Sequence, residues 1–114
     1  LKTYIRQSAN LAAFITALFN ADIPLLGRSL RDDIIEPQRA ALIPGFYDVK
    51  TAALATGGAL GCSISGAGPA MFVLCAHREA AEQAGTAMQR AFAEHQVESK
   101  IFVSPVNQEG AKVL

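Results

Sequence analysis

The sequence predicts an α+β fold, a two-layer sandwich in which helices pack on one face of an antiparallel sheet. Apolar residues recur at helical spacing through residues 1–56 and again through 77–95. Two short apolar runs, 60–65 and 70–75, flank a glycine-rich turn and are typical of a hairpin. With 114 residues and neither a linker nor a repeat, we expect a single domain.

The first helix is predicted over residues 1–20, because one face carries residues at i, i+3, i+4 and i+7 spacing. We expect that face to lie against a core. Its members are Leu1, Tyr4, Ile5, Ser8, Leu11, Ala12, Ile15, Leu18 and Phe19.

A shorter second helix is predicted to begin at Asp22, a favourable N-cap, with Pro24 in its first turn. It carries Leu25, Leu26, Leu30 and Ile34 and is expected to end at Glu36, because the residue before a proline is disfavoured in helical geometry.

The remaining elements follow from turn signals and periodicity. A third helix is predicted from Phe46, after a break at Pro44 and Gly45, and its end is marked by Gly57 and Gly58. The hairpin comes next, followed by a helix over 77–95 with an alanine-rich inner face. We expect a second hairpin to close the fold. Its strands are predicted at 100–106 and 111–114, with a turn at 107–110.

Composition excludes several classes of protein. Hydrophobic residues make up 51% of the chain, which is far too apolar for a disordered segment. A net charge of zero argues against a nucleic-acid module and a polybasic membrane surface. Cys62 and Cys75 are too few for a disulfide framework and match no zinc spacing with the two histidines, so we expect reduced thiols in a cytoplasmic protein. Because the chain begins at Leu1 inside a helical pattern, we expect it to be a piece of a longer protein.

The first candidate for a functional site is the turn Ser65-Gly66-Ala67-Gly68-Pro69. Two glycines one residue apart allow a tight turn that exposes successive N–H groups, and such a concavity can bind an anion or approach a ligand closely. The alternative is an ordinary hairpin turn. The turn is not a Walker loop, because no Gly-Lys-Ser/Thr ending follows and the next segment is predicted to be a strand.

The second candidate is Arg39, which follows the break at Glu36 and Pro37. A guanidinium held on a fixed backbone can bind a carboxylate or phosphate through two parallel hydrogen bonds. The alternative is a surface arginine that is solvated or ion-paired with Glu36 or Asp33.

Other polar residues are weaker candidates. Asp32 and Asp33 could form a metal or general-base pair, but adjacent residues of a helix point in different directions, so a solvated face is favoured. His77 and His95 stand near the two ends of a predicted helix and are interpreted as structural or surface residues.

Four segments together resemble the C-terminal half of the homoserine kinase family. They are IIEPQR at 34–39, LIPGF at 42–46, ISGAGP at 64–69 and GAKVL at 110–114. The glycine turn alone is similar to the third motif of the wider superfamily of galacto-, homoserine, mevalonate and phosphomevalonate kinases. The Glu-Pro-x-Arg segment with Leu-Ile-Pro-Gly narrows the resemblance to homoserine kinase, and the likeness extends over essentially the whole chain.

The resemblance implies a ferredoxin-like domain on the substrate side of a two-domain, cytoplasmic and homodimeric enzyme. That enzyme transfers the γ-phosphoryl group of ATP to the hydroxyl of L-homoserine in threonine biosynthesis, with Mg²⁺. Its N-terminal domain, which is absent here, carries the phosphate loop and the metal-associated acidic residue. Arg39 matches the arginine that holds the homoserine carboxylate, and Ser65, Gly66, Ala67 and Gly68 match a loop lining the cleft. The family thus implies no catalytic or metal-binding residue within this chain.

One position departs from the family pattern, because Ala70 stands where a Thr or Ser is common. Alanine has no hydroxyl group, so we expect no polar role for the side chain at that position. Two other functions stay open from the residues themselves: a non-catalytic module that binds an amino acid or forms dimers, and a sister kinase acting on another small hydroxyl compound.

Overall fold

The computed structural model describes all 114 residues and confirms the α+β class. Five helices and one two-stranded antiparallel sheet make up the fold. In chain order they are α1 (Lys2–Asn20), α2 (Ile23–Ser29), α3 (Ile35–Arg39), a single 3-10 turn (Ala40–Leu42), α4 (Phe46–Leu54), β1 (Ala59–Ile64), β2 (Met71–Cys75) and α5 (Arg78–Glu94).

Helix α1 forms where predicted, but the prediction of which face it buries is wrong. Ala17 is its only buried residue, and α1 packs against α2 through the side that carries Ala13, Phe14 and Ala17. Along the predicted face, Tyr4 and Leu11 are 66% and 64% exposed. The periodicity identified a real apolar stripe, but no element among these 114 residues covers it.

The predicted second helix is in fact two helices, α2 and α3. Asp22 caps α2 as expected, accepting a hydrogen bond from the backbone N–H of Leu25 at 3.0 Å. Asp32 then begins a new helix, because its carboxylate accepts from the backbone N–H groups of residues 34, 35 and 36 at 2.8–3.2 Å. Pro37 therefore lies in the first turn of α3, where its missing N–H costs nothing, and it does not end a helix.

The first hairpin is confirmed, with Cys62 opposite Val73 and Ser63 opposite Phe72. The predicted second hairpin is wrong, because residues 100–106 and 111–114 form no strand. A strand needs a paired neighbour, and a groove of about 680 Å³ separates residues 97–104 from β2.

The segment after α5 packs on that helix instead. Gln89 donates a side-chain hydrogen bond to the carbonyl of Ser99 at 2.9 Å. Ile101 lies so close to Gly85 that a Cβ at that glycine would be 2.7 Å from the Ile101 Cγ2 atom. The turn at 107–110 does form, since Asn107 donates to the carbonyl of Gly110 at 2.7 Å.

The core lies between the hairpin and two helices, α4 and α5, which pack on the face of β1 that carries Cys62. Its centre is a cluster of Val49, Ala53, Cys62, Met88 and Ala91. A second cluster lies at the end of β1 beside the glycine turn and contains Ala40, Ile43, Phe46 and Ile64. Because side chains alternate along a strand, Ser63 points away from Cys62, to the side where α3 begins. This places α3 over the end of β1, next to the turn.

Candidate functional site

The glycine turn after β1 is well ordered by its own backbone. The N–H of Gly68 donates to the carbonyl of Ser65 at 3.1 Å, and the N–H of Ser65 donates to the carbonyl of Ala70 at 2.8 Å. Residues Ser65, Gly66 and Ala67 are exposed. The turn is therefore a rigid, accessible feature at the end of the sheet.

The two glycines of the turn differ in what surrounds them. Both have a left-handed backbone, with φ of 59° at Gly66 and 80° at Gly68, which favours glycine. A Cβ on Gly68 would lie 3.3 Å from side-chain carbons of Ile43 and Ile64, whereas a Cβ on Gly66 would meet nothing within 4 Å. Gly68 thus seats the turn on the second core cluster, and Gly66 borders open space where a ligand could lie.

Arg39, the last residue of α3, is in direct contact with this turn. Its Nε donates to the carbonyl oxygen of Ala67 at 3.0 Å. The two candidates that the sequence singled out are separated by 28 positions in the chain, and the fold brings them together.

The guanidinium of Arg39 keeps its terminal nitrogens free of hydrogen bonds within the chain. The alternative ion pairs are not formed, because Glu36 is paired with Lys50 and Asp33 with Arg6. A planar guanidinium with two free terminal N–H groups can bind a carboxylate through two parallel hydrogen bonds. The arrangement therefore places a group that can bind an anion beside an exposed loop.

A buried polar cluster behind Arg39 was missed by the sequence analysis. Glu36 is only 8% exposed, and its carboxylate accepts hydrogen bonds from Lys50 Nζ at 2.5 Å and from Ser63 Oγ at 2.6 Å. One signal could have indicated it: Ser63 is a polar residue inside an otherwise apolar strand, and a buried hydroxyl needs a partner.

Asp32 and Asp33 do not form a pair. Asp32 accepts backbone hydrogen bonds at the start of α3, while Asp33 accepts from Arg6 Nε at 2.8 Å and from Asn10 at 3.2 Å. The hydrogen bond from the Arg6 guanidinium, together with its charge, holds the pKa of the Asp33 carboxyl below its usual value. Nowhere in the chain do three or more His, Cys, Asp or Glu side chains group closely enough to hold a metal ion.

Both histidines have structural partners. His77 caps α5, since its Nδ1 accepts from the backbone N–H of Ala80 at 3.2 Å. His95 Nε2 lies 2.7 Å from the Asp48 carboxylate and ties the end of α5 to α4. Neither ring has a hydrogen bond to the turn or to Arg39, which agrees with the structural interpretation.

The cysteines are thiols without a disulfide. Burial raises the pKa of Cys62 to about 11, and burial also raises the pKa of Cys75. A raised pKa keeps a thiol protonated and weakly nucleophilic at neutral pH, so Cys62 acts as a small core residue. None of the five helices is both long and apolar enough to cross a membrane.

Comparison with known proteins adds independent findings. Residues 14–94 match the family model described as the C-terminal part of GHMP kinases. The whole chain is 51% identical to a homoserine kinase of Chlorobium phaeobacteroides strain BS1 and 46% identical to that of Chlorobaculum tepidum, and it covers 36% of each. A solved structure of a homoserine kinase from Cytophaga hutchinsonii superposes on all of the chain with a TM-score of 0.93 at 47% identity, over 36% of its own length. The chain thus spans about a third of the length of these relatives.

Proposed function

The chain belongs to the GHMP kinase family, as a C-terminal domain, and from that premise we propose that it is the substrate-side part of a homoserine kinase. The whole enzyme would transfer the γ-phosphoryl group of ATP to the hydroxyl of L-homoserine and so make O-phosphohomoserine for threonine biosynthesis. Supporting this substrate, relatives named homoserine kinase align over the full chain at 42–51% identity. They offer no support for a non-catalytic module or a sister kinase.

The observation that carries the proposal is the contact between Arg39 and the glycine turn. Its hydrogen bond to the Ala67 carbonyl holds the guanidinium at the rim of the turn, beside the open space next to Gly66. In this position Arg39 would bind the homoserine carboxylate with its free terminal nitrogens. Ser65, Gly66, Ala67 and Gly68 would line the cleft beside the bound amino acid.

The contribution of this domain to the reaction is positioning. In phosphoryl transfer, the protein acts mainly by aligning the groups and stabilising their charge. The homoserine hydroxyl oxygen would form a bond to the γ-phosphorus as the bond from that phosphorus to the ADP oxygen breaks, and the hydroxyl proton would be released to solvent. Arg39 would fix one end of a short amino acid, so that the hydroxyl at its other end faces the phosphate.

ATP and Mg²⁺ would be held by the N-terminal domain. The residues of this chain do not fit the metal, because they provide no cluster of carboxylates. We therefore assign no step to Mg²⁺ here. ATP supplies the transferred group, and the only part of its site that this chain would form is the wall made by the glycine turn.

The proposal also includes partners and location. The enzyme's own N-terminal domain would pack against this one, and the enzyme would be a cytoplasmic homodimer. The exposed apolar stripe of α1 supports the contact with the N-terminal domain. This chain covers only 36% of the Chlorobium phaeobacteroides relative, and the rest of such a protein could cover the stripe.

The test is a substrate survey with the full-length protein. ADP release would be followed by a coupled assay with L-homoserine, and in parallel with L-serine, L-threonine, mevalonate and galactose. We expect the highest kcat/KM with L-homoserine. A higher value with another alcohol would indicate a sister kinase, and no ADP release with any of them would support a non-catalytic module.

A further inference from the structure

We propose that Glu36 is a positioning residue, which holds Arg39 in the orientation that binds substrate. The inference rests on the proposed role of Arg39. It adds a second residue, one that touches no substrate and acts through the placement of α3.

Glu36 is held from two sides by elements other than α3. Lys50 comes from α4 and Ser63 from β1, and both of their side chains donate to the same buried carboxylate. The Lys50 Nζ atom also lies 6.0 Å from the centre of the ring of Phe46, which belongs to the second core cluster. The position of the Glu36 side chain is therefore set by the core of the domain.

Glu36 and Arg39 attach α3 at two successive points along the same strand and turn. Glu36 is bonded to Ser63 on β1, and Arg39 is bonded to Ala67, four residues further along. Residues three apart lie on neighbouring parts of a helix surface, so the two attachments are on the same side of α3. Rotation or sliding of α3 would break both contacts together.

Helix α3 needs such an attachment because it is very short. Five residues form barely more than one turn, and a helix of that length is not stable without outside contacts. The contact at Arg39 is exposed and single, whereas the contact at Glu36 is buried, double and charge-assisted. The contact at Glu36 therefore determines the orientation of α3, and that orientation determines where Arg39 lies.

A buried carboxylate stabilises the position of a helix only when its partners are placed accurately. Its desolvation is unfavourable and is offset only when the counter-charge and hydrogen bonds are well placed. This requirement defines one orientation of α3 more narrowly than apolar packing would, because a shifted helix leaves the charge unpaired. A residue with only a structural role would affect folding. A positioning residue must also affect homoserine binding through Arg39.

The experiment is a double-mutant cycle in the full-length kinase with Glu36→Gln, Arg39→Ala and the combined variant. Glu36→Gln keeps the side-chain size and removes the charge, so we expect the KM for homoserine to rise about tenfold through misplacement of Arg39. The KM for ATP should change less than about twofold. Once Arg39 is absent, Glu36→Gln should add little further loss, because coupled residues are not additive.

Several outcomes would overturn the inference. These are an unchanged homoserine KM in Glu36→Gln, equal increases for both substrates, or losses that multiply in the double variant. If Arg39→Ala itself leaves the homoserine KM unchanged, the substrate-binding role of Arg39 fails as well, whereas the proposed kinase function fails only if the unaltered enzyme does not phosphorylate homoserine. If Arg39→Ala raises that KM and Glu36→Gln does not, only the positioning role fails.

Two further variants complete the design. Glu82→Gln is the matched control, because it removes the carboxylate of an exposed ion pair with Arg78 on α5, and it should leave both KM values unchanged. Should Glu36→Gln fail to fold, Ser63→Ala removes one of the two hydrogen bonds and keeps the ion pair with Lys50. We then expect Ser63→Ala to raise the homoserine KM by less than the tenfold expected for Glu36→Gln, and to raise it no further when Arg39 is also replaced. An unchanged homoserine KM in Ser63→Ala would contradict the inference.

Discussion

Replacing Arg39 with alanine tests the substrate-binding role at the residue where it is most specific. A hydrogen bond to a charged group contributes about 1.5–3 kcal/mol net, and about 1.4 kcal/mol corresponds to a tenfold change in affinity. Loss of even one of two bonds to the homoserine carboxylate should therefore raise the homoserine KM at least tenfold. The Ala67 carbonyl loses its donor in this variant, but it lies in an exposed turn where water can replace the guanidinium, so stability should change little.

The assay is steady-state kinetics of the full-length kinase, with each substrate varied in turn. We expect the KM for ATP to stay nearly constant, because the nucleotide would be held by the other domain. Arg39→Lys should recover only part of the loss, since an ammonium keeps the charge but cannot make the two parallel bonds. Arg90→Ala is the matched control, because Arg90 is exposed on α5 and has no ion-pair partner. An unchanged homoserine KM, or an equal loss for both substrates, would refute the reasoning.

Four further predictions follow from particular contacts. Gly68→Val should lower kcat/KM for homoserine at least tenfold, because φ is 80° and the added carbons would meet Ile43 and Ile64. Gly110→Ala is the control: its φ is 72° but it lies in open space, so its kcat/KM should not fall. In steady-state kinetics, full activity of Gly68→Val would show that the segment is an ordinary turn. The isolated 114-residue chain should show no homoserine phosphorylation in a coupled ADP assay, and turnover near the ~1–100 s⁻¹ of kinases would contradict this. Asp32→Ala should lower the free energy of unfolding by about 1 kcal/mol in a urea titration, since three backbone N–H groups lose their acceptor, and an unchanged midpoint would argue against a stabilising role for these bonds. The pKa of Cys62 is raised to about 11 in the folded state, so the contribution of this thiol to stability is complete below the unfolded thiol pKa of about 8.5 and is lost as pH rises towards 11. Cys62→Ala should therefore weaken the decline in the free energy of unfolding between these pH values. Identical profiles of that free energy against pH for the two proteins would exclude the effect.

The parts of the fold that sequence analysis predicted correctly are those determined by local signals. Asp22 and Pro24 begin α2 through a cap and a fixed backbone angle. The glycine turn separates two apolar runs and produces the hairpin. Helix α5 buries the alanine side that its periodicity indicated, because the hairpin and α4 are both close in the chain and supply the opposing surface.

The errors arise where an element depends on a distant partner. Periodicity shows that α1 has an apolar stripe, but it cannot show whether anything in the same chain covers it. The same reason accounts for the missing second hairpin, since apolar residues at 100–106 form a strand only beside another strand. The error at Pro37 is different. The backbone hydrogen bonds that Asp32 accepts start a new helix and make position 37 part of its first turn, and the preference of proline for helix starts then prevails.

The candidate site was predictable as two separate segments and not as one arrangement. Family motifs identified Arg39 and the glycine turn, but nothing in a spacing of 28 residues shows that the two are in contact. The sequence predicts Glu36 at a helix end and offers it as one ion-pair partner of Arg39. Its actual partners, Lys50 and Ser63, belong to elements whose packing only the three-dimensional structure reveals.

The most direct measurement is a crystal structure of the full-length kinase with L-homoserine and a non-hydrolysable ATP analogue. We expect the homoserine carboxylate to accept two hydrogen bonds from the terminal nitrogens of Arg39, at about 2.7–2.9 Å. Its hydroxyl should face the γ-phosphate across the open space beside Gly66. A homoserine molecule bound away from Arg39, with the guanidinium in contact with Ala67 alone, would contradict the proposed role of this domain.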